Sequence, residues 1–415
     1  MEAEREYQGG VFPTIRPKPI HWVQSEMRTP LTKLRIMTEK PTNILILTSD
    51  AGFGHRRAAE AIKAALEQRL CPASRVTIAN PFQDPGLPEL LKQIEGGYDD
   101  IVTDDPTLYQ LAYAATDAPM VAKLIQDVAT TTLIRTMRKM IALEKPDVIV
   151  TTYPAYTQAA IRATRELGEH IPVDVVVTDL VNVHSMWFHE GAALTFVPTG
   201  HVYRQALEQG VAKSKVELTG LPVDPQFYLE RRDRQTLRRD LGWDSSKVTA
   251  LIVGSARSGQ TAQIARLLDR SGLDLQVVAL SGGDQQTADA LAASEWKGLV
   301  HIYGLVRNMP ELMRASDFIV CKAGGLIVTE SLASGLPLVL YEALPGQEVG
   351  NVRYVVESGA GVWSPGPIGV LATAYAWLAG DRREMEQCRA AAQKVGKPRA
   401  AFDVAERIVK QLQSS

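Results

Sequence analysis

The 415-residue chain predicts an α/β architecture of two doubly wound parallel-sheet domains facing a cleft. Three observations carry this expectation. The length exceeds what one ordinary hydrophobic core fills, so two domains are the default. Short β-rich runs alternate with alanine-rich stretches of helical period, and the runs are continuously apolar, as strands covered on both faces are. The whole series occurs twice, with the proline-bracketed turn LPVDP (221–225) between the halves.

The first series comprises ILILTS (44–49), VTIA (76–79), DVIVTT (147–152), VDVVVTD (173–179), LTFVP (194–198) and VELTG (216–220). Helical stretches such as RRAAEAIKAALEQRL (56–70) separate several of them. The second series runs VTALIVG (248–254), LQVVAL (275–280), LVHIYG (299–304), DFIVC (317–321) and PLVLY (337–341), each followed by a glycine-bearing turn. The expected division is an arm at 1–40, a first domain at 41–222, a linker at 223–246, a second domain at 247–380 and C-terminal helices at 381–415. The last of these, AAFDVAERIVKQLQ, is placed back on the first domain. In such sheets ligands bind beyond the carboxyl ends of the strands, so the two ends are expected to face each other.

Composition narrows the function classes. A net charge of −2 supplies no overall basic footprint, which disfavours nucleic acid as a partner. Three dispersed cysteines suit neither a zinc site nor a disulfide framework and fit a reducing cytoplasm. The opening MEAEREYQGG reads as no secretory signal, and no apolar run approaches the ~20 residues of a membrane span. Membrane contact is therefore expected to be peripheral. Residues 16–40 hold six Lys/Arg against two Glu, with Trp22 among them. They read either as a loosely packed arm or as a segment touching an anionic surface. The apolar stretch 107–140, closing on Arg135, Arg138 and Lys139, has the same two-sided reading: lipid docking or helices buried on the first sheet.

Chemistry concentrates in DFIVCKAGGLIVTESLASGLPLVL (317–340). A buried strand ends at Cys321, and Ala323-Gly324-Gly325 opens a helix whose free N–H groups make an anion site. Glu330, one to two turns on, offers a carboxylate to two ribose hydroxyls. The following loop YEALPGQEVGN (341–351) clusters Gln347, Glu348 and Asn351, the mixed donors and acceptors that a sugar requires.

Together, K-A-G, T-E, G-L-P and P-G-Q-E-x-G-N in this order resemble the nucleotide-sugar half of a lipid glycosyltransferase family. Its members make monogalactosyl- and monoglucosyl-diacylglycerol, and they are relatives of the bacterial lipid II N-acetylglucosaminyltransferase with the GT-B fold. The resemblance covers most of residues 43–365. It implies a donor site of Ser255, Val306, Gly324, Gly325, Leu326, Glu330, Gln347, Glu348 and Asn351, with Val306 in GLVRN reading uracil through its backbone. It implies an acceptor side of Gly52, Phe53, Gly54, His184 and Trp187, since DAGFGH resembles the family's Gly-x-Gly-His loop and VVTDLVNVHSMWFH its acceptor loop. Two departures stand out: Tyr153 replaces the family's histidine before Pro154, and GSARSGQ (254–260) carries fewer glycines, leaving Ser255 or Ser258 to meet phosphate.

The reaction implied is inverting transfer of a hexose from UDP-galactose or UDP-glucose to the hydroxyl of diacylglycerol, on the cytoplasmic face of a membrane. Direct displacement needs a base for the hydroxyl proton, and a neutral imidazole fits. His55 is the first candidate and Asp179 the second, with His184 beside it; Asp179 also reads as a turn cap, and Trp187 equally as a core residue. No Asp-x-Asp pair is placed to hold Mg²⁺, so no metal or other cofactor is expected, and helix amides would take the leaving-group charge. Two other readings keep the fold: a UDP-N-acetylglucosamine transferase or epimerase, and a non-catalytic binder of sugar nucleotide and lipid.

Overall fold

The computed structural model describes residues 40–50, 53–87, 133–181, 183–254, 259–346 and 348–414; of Phe53 it gives the backbone. Twelve strands among the described residues form two six-stranded sheets, parallel throughout. The first sheet holds β1 (Asn43–Leu47), β2 (Arg75–Ala79), β3 (Val148–Thr151), β4 (Val173–Val176), β5 (Thr195–Val197) and β6 (Val216–Leu218). Its spatial order is β2-β1-β3-β4-β5-β6. The second holds β7 (Val248–Val253), β8 (Leu275–Leu280), β9 (Val300–Tyr303), β10 (Phe318–Lys322), β11 (Leu338–Glu342) and β12 (Gly361–Trp363). Its order is β12-β11-β10-β7-β8-β9. The expected two doubly wound domains are present.

Eleven of these strands coincide with the apolar runs of the sequence to within three residues at either end, and β10, expected to end at Cys321, runs on to Lys322. β12 escapes sequence reading because three residues of Gly-Val-Trp carry no periodicity, and register with β11 alone makes them a strand. Central strands read as unbroken buried runs: Ile44–Leu47, Val148–Val150, Ala250–Ile252 and Phe318–Val320 are almost wholly excluded from water. Helices cover both faces, which is why alternation is missing.

Residues 226–241 carry two short helices, Gln226–Leu229 and Arg234–Leu241. Phe227 and Leu237 there, and Trp243 just after, are buried in the core of the second domain. Asp233 caps the second helix by accepting the Thr236 N–H, and Gly242 ends it in the left-handed region. Arg238 is buried and donates to Asp317 and to the Ala315 and Lys247 carbonyls, tying this segment beneath β7 and β10.

The last helix, Ala400–Ser414, crosses back to the first domain, where Phe402, Ala405, Ile408 and Val409 pack with Ile44, Ala59 and Ile62. A fully buried large apolar side chain contributes about 1.5–3 kcal/mol. That set outweighs the half-buried pair that Arg407 of the same helix makes with Glu217 at 2.8 Å. The chain thus crosses between the domains twice, once at 221–225 and once near 396–400. At the second crossing Gly220 (φ +92°) lies against Lys397, whose side chain occupies the space a Cβ would need.

The described end of the 107–140 stretch, helix 133–144, puts Leu133, Met137 and Ile141 into the first domain's core. Arg138 and Lys139 pair at its rim with Glu166 (3.5 Å) and Asp84 (3.9 Å). For these residues the buried-helix reading holds. Residues 1–39 and 107–132 lie outside the described residues.

Candidate active site

Strand order fixes where a ligand can sit. In the first sheet the order reverses between β1 and β3, and in the second between β7 and β10. A crevice opens at such a switch point, beyond the carboxyl ends. The segments leaving these four strands are those that carry His55, Thr152-Tyr153, Gly254 and Ala323-Gly324-Gly325.

On the second domain, Gly324 is the N-cap and Gly325 the first residue of helix Gly325–Ala333. The turn before it is held from two sides: the Ala323 N–H donates to the Glu342 carbonyl (2.8 Å), and the buried Asn351 amide donates to the Ala323 carbonyl (2.9 Å). The first-turn N–H groups are thereby fixed in space, with the positive end of the helix behind them. A Cβ on Gly325 would lie 3.9 Å from the Asn351 amide nitrogen and 4.0 Å from the Thr178 carbonyl oxygen of the first domain. The two domains meet at this turn.

Glu330 lies on the same helix, within the electrostatic reach of Arg57 and Asp224. Burial raises its carboxyl group to about 8, with the Arg57 cation opposing and the Asp224 charge adding. No described residue hydrogen-bonds this carboxyl group. Glu348 is tied differently: it accepts the Leu344 N–H at 2.6 Å and pairs with the buried Lys322 at 3.5 Å. That pair pins the polar loop 344–351 to the end of β10. Val306 follows β9 half-buried against the core of its domain, and Leu326 lies half-buried in the first turn of helix Gly325–Ala333. Gly282 (φ +65°), in a turn that the sequence does not single out, stacks on Gly254: a Cβ there would stand 2.7 Å from the Gly254 carbonyl. Ser255, Ser258 and Gln347 lie outside the described residues.

On the first domain, helix Phe53–Glu67 begins directly after the β1 turn, and His55 sits in its first turn beside Gly54. Its Nδ1 lies 2.9 Å from the Thr152 carbonyl and 2.7 Å from the Thr178 hydroxyl. A carbonyl only accepts, so Nδ1 carries the proton and Nε2 is left with its lone pair. Among the described residues no group bonds Nε2. Burial lowers the pKa of His55 below the ordinary 6.5, while the Asp179 charge and the Thr152 carbonyl act the other way. The ring is thus neutral at pH 7 with a free basic nitrogen. Tyr153, in place of a histidine, stacks edge-on against it at 5.0 Å between centroids and continues into Phe82 and Tyr156. Gly52 and the Phe53 side chain lie outside the described residues.

The loop after β4 holds the remaining candidates. Trp187 is fully buried and presents no surface to an acceptor; its Nε1 donates to Asp179 at 2.8 Å, with the ring 6.1 Å from His55. His184 caps the short turn Ser185–Trp187, its Nδ1 accepting the Met186 N–H at 3.2 Å. Leu180, from the same loop, is buried in the core of the second domain. Thr152 and Thr178 are not among the candidates that the sequence singles out, which are their neighbours Tyr153 and Asp179. Threonines at strand ends carry no distinguishing signal, and a backbone carbonyl carries none at all.

A model of the monogalactosyldiacylglycerol (MGDG) synthase family matches residues 55–223, and one of the glycosyltransferase family 28 C-terminal domain matches residues 250–362. A probable chloroplastic monogalactosyldiacylglycerol synthase of Glycine max is 33% identical over 88% of this chain and 71% of its own length. The Spinacia oleracea monogalactosyldiacylglycerol synthase is 31% identical over 92% and 75%. In fold, the chain is similar to Acinetobacter baumannii MurG (TM-score 0.57, 16% identity, 90% of this chain and 100% of that one). It is equally similar to the UDP-GlcNAc 2-epimerase of Neisseria meningitidis (TM-score 0.58, 17% identity, 88% and 99%). Fold likeness alone spans transferases and epimerases, and the sequence match separates them: the chain belongs to the monogalactosyldiacylglycerol synthase family.

Proposed function

We propose that this chain moves galactose from UDP-galactose to the free hydroxyl of diacylglycerol, with inversion at the anomeric carbon and His55 as the base. The reaction is that of the family, and galactose is favoured over glucose because the similar curated proteins are named for the galactolipid. The observation that carries the residue assignment is the neutral His55 ring, its proton held on Nδ1 by the Thr152 carbonyl.

In this reading the pyrophosphate lies on the N–H groups of the Gly325 turn, the ribose hydroxyls bond Glu330, and the sugar meets loop 344–351. As the acceptor oxygen bonds to the anomeric carbon, its proton passes to Nε2 of His55. The bond from that carbon to the phosphate oxygen breaks, and the electron pair leaves with UDP. Helix amides stabilise the charge that develops on the leaving group without reorganising. Asp179, held by the Trp187 indole, stabilises the imidazolium through space.

A diacylglycerol acceptor brings the enzyme to a membrane surface. No helix among the described residues is long and apolar enough to cross one, so contact is peripheral in this reading, with anionic lipid favoured by the basic residues of 16–40. The test is His55→Ala with UDP-galactose and diacylglycerol vesicles. Turnover should fall by about 10²–10⁴-fold while UDP binding persists. The wild-type rate should fall with acid only below pH 6.5, because burial holds the ring neutral. Unchanged turnover in His55→Ala refutes the assignment.

A further inference from the structure

We propose that Thr178 is the residue that orients the base: its hydroxyl and the Thr152 carbonyl together do for His55 what a carboxylate does in other acid–base sites. The proposal rests on His55 being the base. It goes beyond that reading in assigning the orienting role to a neutral hydroxyl, and in linking the base to the donor turn through one residue.

The geometry points to Thr178 rather than to its acidic neighbour. Among the described residues the ring-nitrogen bonds of His55 are both on Nδ1, to Thr152 and Thr178, and neither involves a charged group. Asp179 receives the Trp187 indole instead. Thr178 is almost fully buried, so water does not compete for its hydroxyl. Thr152 is itself fixed, its hydroxyl donating to Thr48 at 2.8 Å. Two acceptors converging on one nitrogen set the ring plane as well as the tautomer, which a single carbonyl cannot do.

Thr178 also faces the other domain. Its carbonyl oxygen lies 4.0 Å from where Gly325 would carry a Cβ, so the backbone holding the hydroxyl abuts the turn proposed to take the pyrophosphate. Leu180, two residues on, is anchored in the second domain's core. A shift of the second domain therefore reaches His55 through Thr178. Reacting atoms must be aligned to within fractions of an ångström, and this contact registers base against donor. A neutral orienting pair adds no negative charge beside the leaving diphosphate, whereas a carboxylate bonded to Nδ1 would.

The test compares Thr178→Val, Thr178→Ser and His55→Ala. Thr178→Val should lower kcat about tenfold or more with UDP affinity unchanged. Loss of an acceptor to the charged ring should also move the acid limb of kcat/KM down by about half a unit. Thr178→Ser, which keeps the hydroxyl, should restore both. Should Thr178→Val fail to fold, ¹⁵N-histidine NMR of the wild type remains decisive: neutral His55 must be the Nδ1–H tautomer, and an Nε2–H ring overturns the proposal. A fully active Thr178→Val with an unmoved acid limb, alongside an inactive His55→Ala, refutes Thr178 and leaves the base intact. An active His55→Ala refutes the base itself.

Discussion

Replacing Glu330 with glutamine should stabilise the fold while weakening UDP binding, and the stabilisation should grow with pH. An unfolded chain ionises this carboxyl near the ordinary 4.5; the folded chain holds the proton until about 8. Below 4.5 both states are neutral and the group costs nothing. Between 4.5 and about 8 the unfolded state releases a proton that the folded state keeps, so stability drains away as pH rises and levels off above 8. A rise from 4.5 to about 8, at ~1.4 kcal/mol per unit, sets a ceiling of about 5 kcal/mol. Part of the residue stays open to water, and screening reduces the expected effect to about 2 kcal/mol. Glutamine has the same shape and never ionises. Thermal unfolding of the Glu330→Gln variant should therefore nearly match wild type at pH 5 and exceed it by about 2 °C at pH 9. Asp174, a buried carboxyl raised to about 7 beneath the last helix, drains stability with the same sign, but it is common to both proteins and cancels. Calorimetric titration at pH 9 should show weaker UDP binding, because an amide offers one acceptor oxygen where the carboxylate offers two. A gap in melting temperature that is the same at pH 5 and 9, or a variant less stable at pH 9, would show that the fold does not hold Glu330 protonated.

Three further outcomes follow from the same geometry. Gly325→Ala should be tolerated, since the added carbon meets only ordinary contacts at 3.9 and 4.0 Å; Gly325→Val should push Thr178 and Asn351 away, with UDP affinity falling at least tenfold by calorimetry. Asn351→Leu strips the buried Ala323 carbonyl of its donor, a loss of about 1–3 kcal/mol read as a lower unfolding temperature and weaker UDP binding. In the proposed mechanism amides of the Gly325 turn take the leaving-group charge, so activity should survive chelator; loss on chelation with recovery in Mg²⁺ would contradict this.

Much of the architecture is legible in the chain itself. Buried parallel strands must be continuously apolar, so eleven of twelve announce themselves, and Ala323-Gly324-Gly325 marks a helix start because small residues leave its first N–H groups open to a ligand. The order of motifs K-A-G, T-E and P-G-Q-E-x-G-N is enough to place the chain among glycolipid-forming transferases. β12 stays hidden because its three residues become a strand only through a neighbour.

The repeated α/β pattern, the family and the candidate donor residues can be read from the chain alone, since each rests on local residue types at short spacing. Tertiary structure alone decided that Trp187 is core and holds Asp179, that the apolar face of helix 133–144 is spent on the first sheet, and that Thr152 and Thr178 grip His55. The physical reason is one of strand order. β1, β3 and β4 are neighbours only once the sheet forms, and their ends bring together residues 97 and 123 positions apart, one of them through a backbone carbonyl that no side chain encodes.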